Sequence, residues 1–160
     1  MKHGLTINIQ KCLIRLPELE YFGHHVSGSG ICPTEDRVRA VIEARTPRTV
    51  SEVRSFLGLV NFSARFIPNL ATIAEPLRKL TRNSQRFSWG QEQDRAFETL
   101  KTKLSNVGKL AHFQQGAPTE IVVDASPVGL GAMLVQDQDN EKHVVCYASR
   151  SLSQVERRYS

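Results

Sequence analysis

One carboxylate in this sequence stands where a carboxylate can do chemistry. Asp124 ends an apolar run, Ile121 to Val123, and two small residues, Ala125 and Ser126, follow it. Small neighbours leave the carboxylate open, and hard divalent cations such as Mg²⁺ bind oxygen ligands of this kind. An Asp at a strand end is also a common cap or turn former. The pattern alone therefore leaves a metal ligand and a structural role open.

A second set of residues could bind a polyanion. Arg54, Asn61 and Arg65 are seven and four positions apart, which places them near one face of a helix. Such a stripe can follow the phosphates and the minor groove of a nucleic-acid duplex by shape. The alternative is the solvated face of an amphipathic helix, whose opposite face, with Val53 and Phe56, suits a core.

The distribution of charge favours the same class of partner. The chain has a formal net charge of +5, and residues 34–86 hold ten Lys and Arg against five Asp and Glu. A basic segment between near-neutral flanks suits nucleic acid, although ordinary solvated helices give the same count. Four further basic residues of this segment are assigned to that solvated surface: Arg78, Lys79, Arg82 and Arg86.

Other site chemistries find little support. Cys12, Cys32 and Cys146 form no CxxC pair and no zinc-like spacing, so buried reduced thiols are expected. His24 and His25 are adjacent on a predicted strand and cannot face one metal ion. No apolar run reaches the roughly 18 residues of a membrane helix, and the N-terminus lacks the apolar stretch of a signal peptide. A cytoplasmic or nuclear protein that is not secreted is expected.

The elements that position these residues change type twice along the chain. Alternating apolar residues predict strands from Leu5 to Leu16 and from Leu19 to Val26, with a turn at Ser27 to Gly30. Helical periodicity follows, with a capping box at Thr49 and Glu52. An internal glycine, Gly58, costs about 1 kcal/mol relative to alanine, which indicates a kink or a close backbone approach.

The second half of the chain contains one more predicted helix and then strands. Trp89 and Phe97 have the spacing of core residues in that helix. Strands are predicted at 120–124, 129–136 and 143–149, with a polar loop at 137–141 that contains Asp137 and Asp139. A capping box at Ser153 and Glu156 begins a helix with room for roughly two turns before residue 160, which indicates truncation.

Four groups of residues stand in a fixed order along the chain. They are Gly4 to Cys12 with Tyr21 to His24; Arg54 to Phe62 with Arg65 to Asn69; Phe87 to Trp89 with Ala96-Phe97 and Leu100-Lys101; and Val123 to Ser126 with Gly129 to Ala132, Tyr147 to Ser153 and Glu156 to Ser160. Their order and spacing resemble the Pol polyprotein of gypsy-type long-terminal-repeat (LTR) retrotransposons across essentially the whole chain. Gly108 and Lys109, in a connector, depart from the family pattern.

The resemblance implies an α+β fold in four parts. Residues 1–33 would be the end of the reverse transcriptase palm with a primer-grip hairpin, and residues 34–83 the helical thumb. Residues 84–116 would be the connection with its helix. Residues 117–160 would be the truncated N-terminal part of a ribonuclease H-like mixed sheet.

The resemblance also implies roles for individual residues. Asp124 would be the first metal ligand of an incomplete ribonuclease H site, in which two Mg²⁺ ions activate water and stabilise the leaving oxygen. Phe22, Gly23 and His24 would be the primer grip, since glycine allows a close backbone approach to a sugar–phosphate chain. A plain hairpin with a buried Phe is the alternative. The partners would be an RNA/DNA hybrid or template–primer duplex and the rest of the polyprotein, with no membrane.

In the intact parent, this segment would hold template–primer duplex for RNA-directed DNA synthesis and RNA-strand hydrolysis. The polymerase aspartates and the remaining ribonuclease H carboxylates would lie outside residues 1–160. We therefore expect weak or no Mg²⁺ binding and no efficient cleavage by this chain, and whether it is itself an enzyme stays open. A non-catalytic nucleic-acid-binding relic and an inert fragment are the alternatives.

Overall fold

The computed structural model describes residue 4, residues 6–82 and residues 86–159, and its elements confirm the α+β class. The elements in chain order are β1 (Glu18–Tyr21), β2 (His24–Ser27), β3 (Gly30–Pro33), α1 (Glu35–Ile42), α2 (Val50–Phe62), α3 (Leu70–Ile73), α4 (Glu75–Leu80), α5 (Gln91–Ser105), β4 (Thr119–Ala125), β5 (Gly129–Gln138) and β6 (Glu141–Ser151). Short 3-10 turns occupy Ile9–Lys11, Ala64–Phe66 and Glu156–Arg158. None of the described helices has the length and apolarity that a membrane crossing requires.

The first sheet is an antiparallel meander in the order β1-β2-β3. Phe22 and Gly23 form the first turn with φ angles of 46° and 72°, as in the two-residue turns that suit the twist of a hairpin. The single strand predicted from Leu19 to Val26 is therefore wrong, because this turn divides it into β1 and β2. The turn predicted at Ser27 to Gly30 is confirmed between β2 and β3. The strand predicted from Leu5 to Leu16 is wrong for residues 6–16, which hold a 3-10 turn instead; Leu5 itself lies outside the described residues. No described strand pairs with residues 6–16, so apolar side chains such as Ile7 remain exposed there.

The helices share one hydrophobic core. From α2 and α5 it receives Val53, Phe56, Val60, Ala96, Phe97, Leu100 and Leu104, and from the segment between them Ile67, Leu70, Ala74, Leu77 and Leu80. Full burial of such a side chain contributes about 1.5–3 kcal/mol, so the core fixes which face of α2 points outward. Trp89 packs edge-on against Phe97 with ring centroids 5.9 Å apart, which confirms both aromatics as packing residues.

The ends of the helices follow the predicted caps with one shift. Thr49 Oγ1 accepts a hydrogen bond from the backbone N–H of Glu52 at 3.2 Å. The Glu52 carboxylate accepts from the backbone N–H of Arg48 at 2.6 Å, one residue before the position that a standard capping box uses. Gly90 N-caps α5, and its N–H donates to Gln93 Oε1 at 3.0 Å.

The second sheet has the order β4-β5-β6, and its described strands pair antiparallel throughout. Asp139 and Asn140, with φ angles of 55° and 64°, make a two-residue turn between β5 and β6. The predicted five-residue loop is therefore too long. Asp139 is a turn residue as predicted, but Asp137 pairs with Lys142 inside the ladder. Asx residues tolerate the left-handed conformation that such a turn requires.

A short extended segment before β4 joins the two sheets. Leu110 exchanges two backbone hydrogen bonds of 2.8 Å with Ile31 of β3, and Ala111 N–H donates to the carbonyl of Val144 in β6 at 2.8 Å. Gly30 is required beside this segment, because a Cβ there would overlap the Leu110 carbonyl. The fully buried Gln136 completes the junction by bonding both the N–H and the C=O of Gln114, at 2.8 and 3.0 Å.

The cysteines are all free thiols. Cys32 and Cys146 are partly buried, whereas Cys12 is exposed. The expectation of burial is therefore wrong for Cys12, which follows the 3-10 turn in the segment that joins no sheet.

Candidate nucleic-acid interface and carboxylate site

The predicted stripe on α2 is an exposed surface. Arg54 and Asn61 are exposed on the helix, and Arg65 is exposed in the 3-10 turn that follows it. Gly58 lies between them at helical spacing, and no described atom outside its own turns of the helix lies within 4 Å of the position that a Cβ would occupy there. The helix continues through Gly58, and the predicted close backbone approach is absent there among the described residues. Its effect is to leave bare backbone in the middle of the stripe.

The guanidinium groups of the stripe are partly oriented by the chain. Arg54 Nη2 donates to the carbonyl of Thr81 at the end of α4, at 3.1 Å. Arg65 lies over the ring of Phe66, 5.8 Å from its centroid. A guanidinium has five N–H donors, and among the described residues Arg54 donates one hydrogen bond within the chain, which leaves donors for a phosphate.

The turn between β1 and β2 presents an aromatic side chain to solvent. Phe22 is 73% exposed and packs edge-on against Tyr21, which is also exposed, with centroids 4.4 Å apart. The alternative of a plain hairpin with a buried Phe is therefore wrong. A positive φ is uncommon for a bulky residue, so the turn holds Phe22 outward at some cost. Gly23 leaves no room for a side chain, because a Cβ would stand 2.7 Å from Arg37 Nε and 3.1 Å from the Phe62 ring.

His24 lies beneath this turn rather than at its surface. Its ring stacks on Phe62 with centroids 5.2 Å apart and an interplanar angle of 22°, and it also contacts Phe66 at 5.6 Å. Arg37 covers the same Phe62 ring at 4.5 Å. Phe62 is the neighbour of Asn61 at the end of α2, so it joins the hairpin tip to the stripe. Sequence reasoning missed Phe62 as a site residue; an aromatic residue directly after Asn61 on the predicted helix was the available signal.

Asp124 lies apart from these residues, in the second sheet. It pairs with Gly131 of β5, which pairs with Ser149 of β6, so the three share one face of the sheet. The carboxylate is exposed and accepts a hydrogen bond at Oδ2 from Asn69 Nδ2 at 3.2 Å. The turn after β4 is made by Ser126, whose Oγ accepts from the N–H of Gly129 at 3.0 Å. Asp124 is therefore not the turn former at this strand end.

Other acidic side chains do not complete a site with Asp124. Among the residues that the structure describes, no group of three or more His, Cys, Asp or Glu side chains could hold a metal ion. Glu156 accepts from Arg150 Nη1 and Nη2 at 2.9 and 2.6 Å and from the Ser153 N–H at 2.8 Å. Hydrogen bonding from Arg150, then from Ser153, lowers the pKa of Glu156 to about 2. The prediction of Glu156 as a capping residue is confirmed by the return bond from its N–H to Ser153 Oγ.

Relatives of this chain are found among transposon proteins. Residues 89–160, which include α5 and the second sheet, match the family described as the RNase H-like domain found in reverse transcriptase. The Transposon Tf2-3 polyprotein of Schizosaccharomyces pombe is 32% identical over 158 residues, which is 98% of this chain. The chain spans only 12% of the length of that relative.

Similar solved structures come from foamy virus. The foamy viral protease-reverse transcriptase dRH in complex with ds DNA has a TM-score of 0.73 and 26% identity, over 88% of this chain and 25% of that chain. The foamy viral protease-reverse transcriptase in complex with RNA/DNA hybrid has the same TM-score and 25% identity, over 88% of this chain and 19% of that chain. The chain is therefore a relative of gypsy-type LTR-retrotransposon polyproteins, with the ribonuclease H-like domain of reverse transcriptases in residues 89–160.

Proposed function

We propose that this chain holds RNA/DNA template–primer duplex within a retrotransposon reverse transcriptase and ribonuclease H. The observation that carries the proposal is the exposed α2 stripe, next to which Phe62 stacks on His24 of the hairpin that presents Phe22 to solvent. The similar foamy viral structures are complexes with ds DNA and with RNA/DNA hybrid, which supports a duplex as the ligand class.

In this function the chain has four parts. Residues 1–33 are the end of the palm with the primer grip, and residues 34–83 are the thumb. Residues 84–116 are the connection, and residues 117–160 are the N-terminal part of the ribonuclease H-like domain. The rest of the polyprotein supplies the polymerase aspartates and the other ribonuclease H carboxylates.

Each surface residue has a part that suits its chemistry. Phe22 packs on a sugar of the primer end, and Gly23 shapes the turn that presents it, through its positive φ and the room it leaves for Arg37 and Phe62. His24 supports the turn from beneath through its stack on Phe62. Arg54 and Arg65 bind phosphates, which contribute most of the sequence-independent affinity. Asn61 faces the minor groove, where shape and hydroxyl contacts are read.

Asp124 is proposed as one ligand of a divalent cation, Mg²⁺ in the intact enzyme. An exposed carboxylate fits this role, because Mg²⁺ keeps several waters and takes one or two protein carboxylates together with phosphate oxygens. One carboxylate is a partial site, so this chain would bind the ion weakly. When bound, the metal would supply activation of water and stabilisation of the leaving oxygen. Within this chain, the role of Asp124 is to bind the cation.

Duplex binding tests the proposal by fluorescence anisotropy on a labelled RNA/DNA hybrid over a range of salt concentrations. The double variant Arg54→Ala/Arg65→Ala removes two phosphate contacts, so the slope of log K against log salt should fall by about 2. The matched control, Arg39→Ala/Arg95→Ala, removes the same charge from exposed positions outside the stripe. Equal losses in the two double variants would show that binding follows net charge alone and would contradict the proposed surface.

Gly58→Ala tests the bare backbone in the stripe. The new methyl group meets no atom of the chain, and alanine stabilises a helix by about 1 kcal/mol relative to glycine. We therefore expect a more stable protein that binds the hybrid several-fold more weakly. Ser55→Ala, at an exposed position on α2 outside the stripe, is the control. Unchanged binding by Gly58→Ala would mean that no duplex approaches the helix there.

A further inference from the structure

The short helix α3 is docked on the sheet face that contains Asp124. Its N-cap, Asn69, has left-handed backbone geometry with φ 53° and donates from Nδ2 to Asp124 Oδ2 at 3.2 Å. Ala71 N–H donates to Ser149 Oγ at 3.0 Å, and the hydroxyls of Thr72 and Ser126 lie 2.9 Å apart. Three positions of one short segment therefore contact the residues around the carboxylate.

Two glycines in β5 make room for this contact. A Cβ on Gly131 would overlap the Asn69 side-chain amide. A Cβ on Gly129 would stand 3.1 Å from Thr72 Oγ1 and 3.5 Å from Ala71 Cβ. The Gly129 to Ala132 segment and the Asn69 segment were recognised separately in the sequence, and the structure shows them in contact across 55 or more residues.

The next helix anchors the docked segment. Arg78 Nη1 donates to Ser151 Oγ at 2.9 Å. Glu75, which is 3% exposed, accepts at Oε1 from Arg82 at 2.8 Å and from Arg157 at 2.9 Å. Removing one partner from a buried ion pair is strongly destabilising, so these contacts hold α3 and α4 against the sheet and fix where Asn69 stands.

We propose that Asn69 is a positioning residue for the Asp124 carboxylate: its amide holds one carboxylate oxygen so that the other is presented to a divalent cation. The inference rests on the proposed role of Asp124 as a metal ligand. The terminal torsion of an Asp side chain is broad, so the exposed Asp124 carboxylate on the edge strand β4 has no fixed orientation of its own. The bond from Asn69 supplies one, and it makes the site a joint product of the helical segment and the sheet.

Metal binding to the whole 160-residue chain tests this inference without any catalytic assay. Mn²⁺ broadens nearby NMR signals, and its titration gives an apparent Kd from the amide signals of Ala125 and Gly131. Asn69→Gly removes the side chain and keeps the left-handed backbone, which glycine adopts freely. Partners that orient a metal ligand are typically worth about 10- to 100-fold in affinity. For this exposed site we expect a loss of about tenfold, at the lower end of that range.

Two further variants make the result specific. Thr72→Val removes a hydrogen bond of the same docked segment without touching Asp124, and its Kd should stay within a factor of two of the parent value. Gly131→Ala displaces the Asn69 amide while both partners remain, so it should reproduce the loss seen in Asn69→Gly. Thermal melting of each variant checks that the fold is retained.

The outcomes separate this inference from the proposed function. No broadening near Asp124, or the same broadening in Asp124→Asn, would remove the metal-ligand role and this inference with it. Broadening that Asp124→Asn abolishes, together with unchanged or tighter binding in Asn69→Gly, would leave the ligand role standing and overturn the positioning role. An equal loss in Thr72→Val would show that docking in general is responsible, which also overturns the specific role of Asn69.

Discussion

The helical core and the edge strand β4 of the second sheet differ sharply in how far they bury their apolar residues. Leu77, Phe97 and Leu100 of the helical core are at most 1% exposed. In β4 all seven residues are exposed, and Ile121 and Val123 reach 69% and 74%. The helices therefore stabilise one another by burying apolar surface. Strand β4 does not, and hydrogen bonds from Asn69, Ala71 and Arg78 join the sheet to the helical segment. The same protein uses two kinds of cohesion, and they should respond differently to mutation and to pH.

Paired truncations test the first half of this comparison and should give the largest effect. Leu100→Ala should lower the free energy of unfolding by about 2–5 kcal/mol, because it removes buried methyl groups and leaves a cavity. Ile121→Ala removes similar atoms from an exposed strand and should change it by less than about 0.5 kcal/mol. Urea denaturation measures both. Similar losses would mean that β4 is covered in solution.

Removing one buried amide tests how much polar contacts contribute to the stability of the second sheet. Gln136 bonds the N–H and C=O of Gln114 and also Thr119 Oγ1, at 2.9 Å. Gln136→Leu keeps the bulk and leaves these groups unsatisfied, which should cost about 1–3 kcal/mol. The exposed neighbour Gln115→Leu is the control. If both variants unfold at the parental urea concentration, this buried amide does not stabilise the sheet.

The smallest expected effect concerns pH. The pKa of Glu156 is lowered from 4.5 to about 2, mainly by the hydrogen bonds from Arg150. A carboxyl whose folded pKa is depressed contributes stability above its unfolded pKa and loses it as pH falls through the folded value. This contribution should therefore be complete above about pH 4.5 and should fade toward pH 2. Carboxyl ¹³C titration measures it directly, and Arg150→Met should return the midpoint toward 4.5. An unchanged midpoint would exclude Arg150 as the cause.

Periodicity predicted the features of the fold that depend on the residues of one segment alone. Val53, Phe56 and Val60 were assigned to a core from their spacing, and the structure buries them. Alternation failed at Ile7 and Ile14, which are exposed, because alternation identifies a strand only where a neighbouring strand exists to pair with it. The caps at Thr49 and Ser153 could be predicted because each bonds a residue only three positions further along the chain.

The candidate site was readable only in part, for the same physical reason. The spacing of Arg54 and Asn61 predicted a shared, exposed face, and the structure has one. Nothing in the sequence pairs Asn69 with Asp124, since no local period links residues 55 positions apart. Gly131 was visible as a glycine, but its purpose depends on a side chain from another segment. Tertiary contacts of this kind require the fold.

The junction at Leu110 and Ala111 has a mechanical consequence. Backbone hydrogen bonds join this segment to β3 on one side and to β6 on the other. The first and second sheets are therefore connected through hydrogen-bonded backbone at this point. A load applied at the Phe22 turn would pass through β3 and two consecutive residues directly into β6. The two sheets should therefore move together under such a load, and changing their relative orientation would require breaking the backbone hydrogen bonds at Leu110 and Ala111.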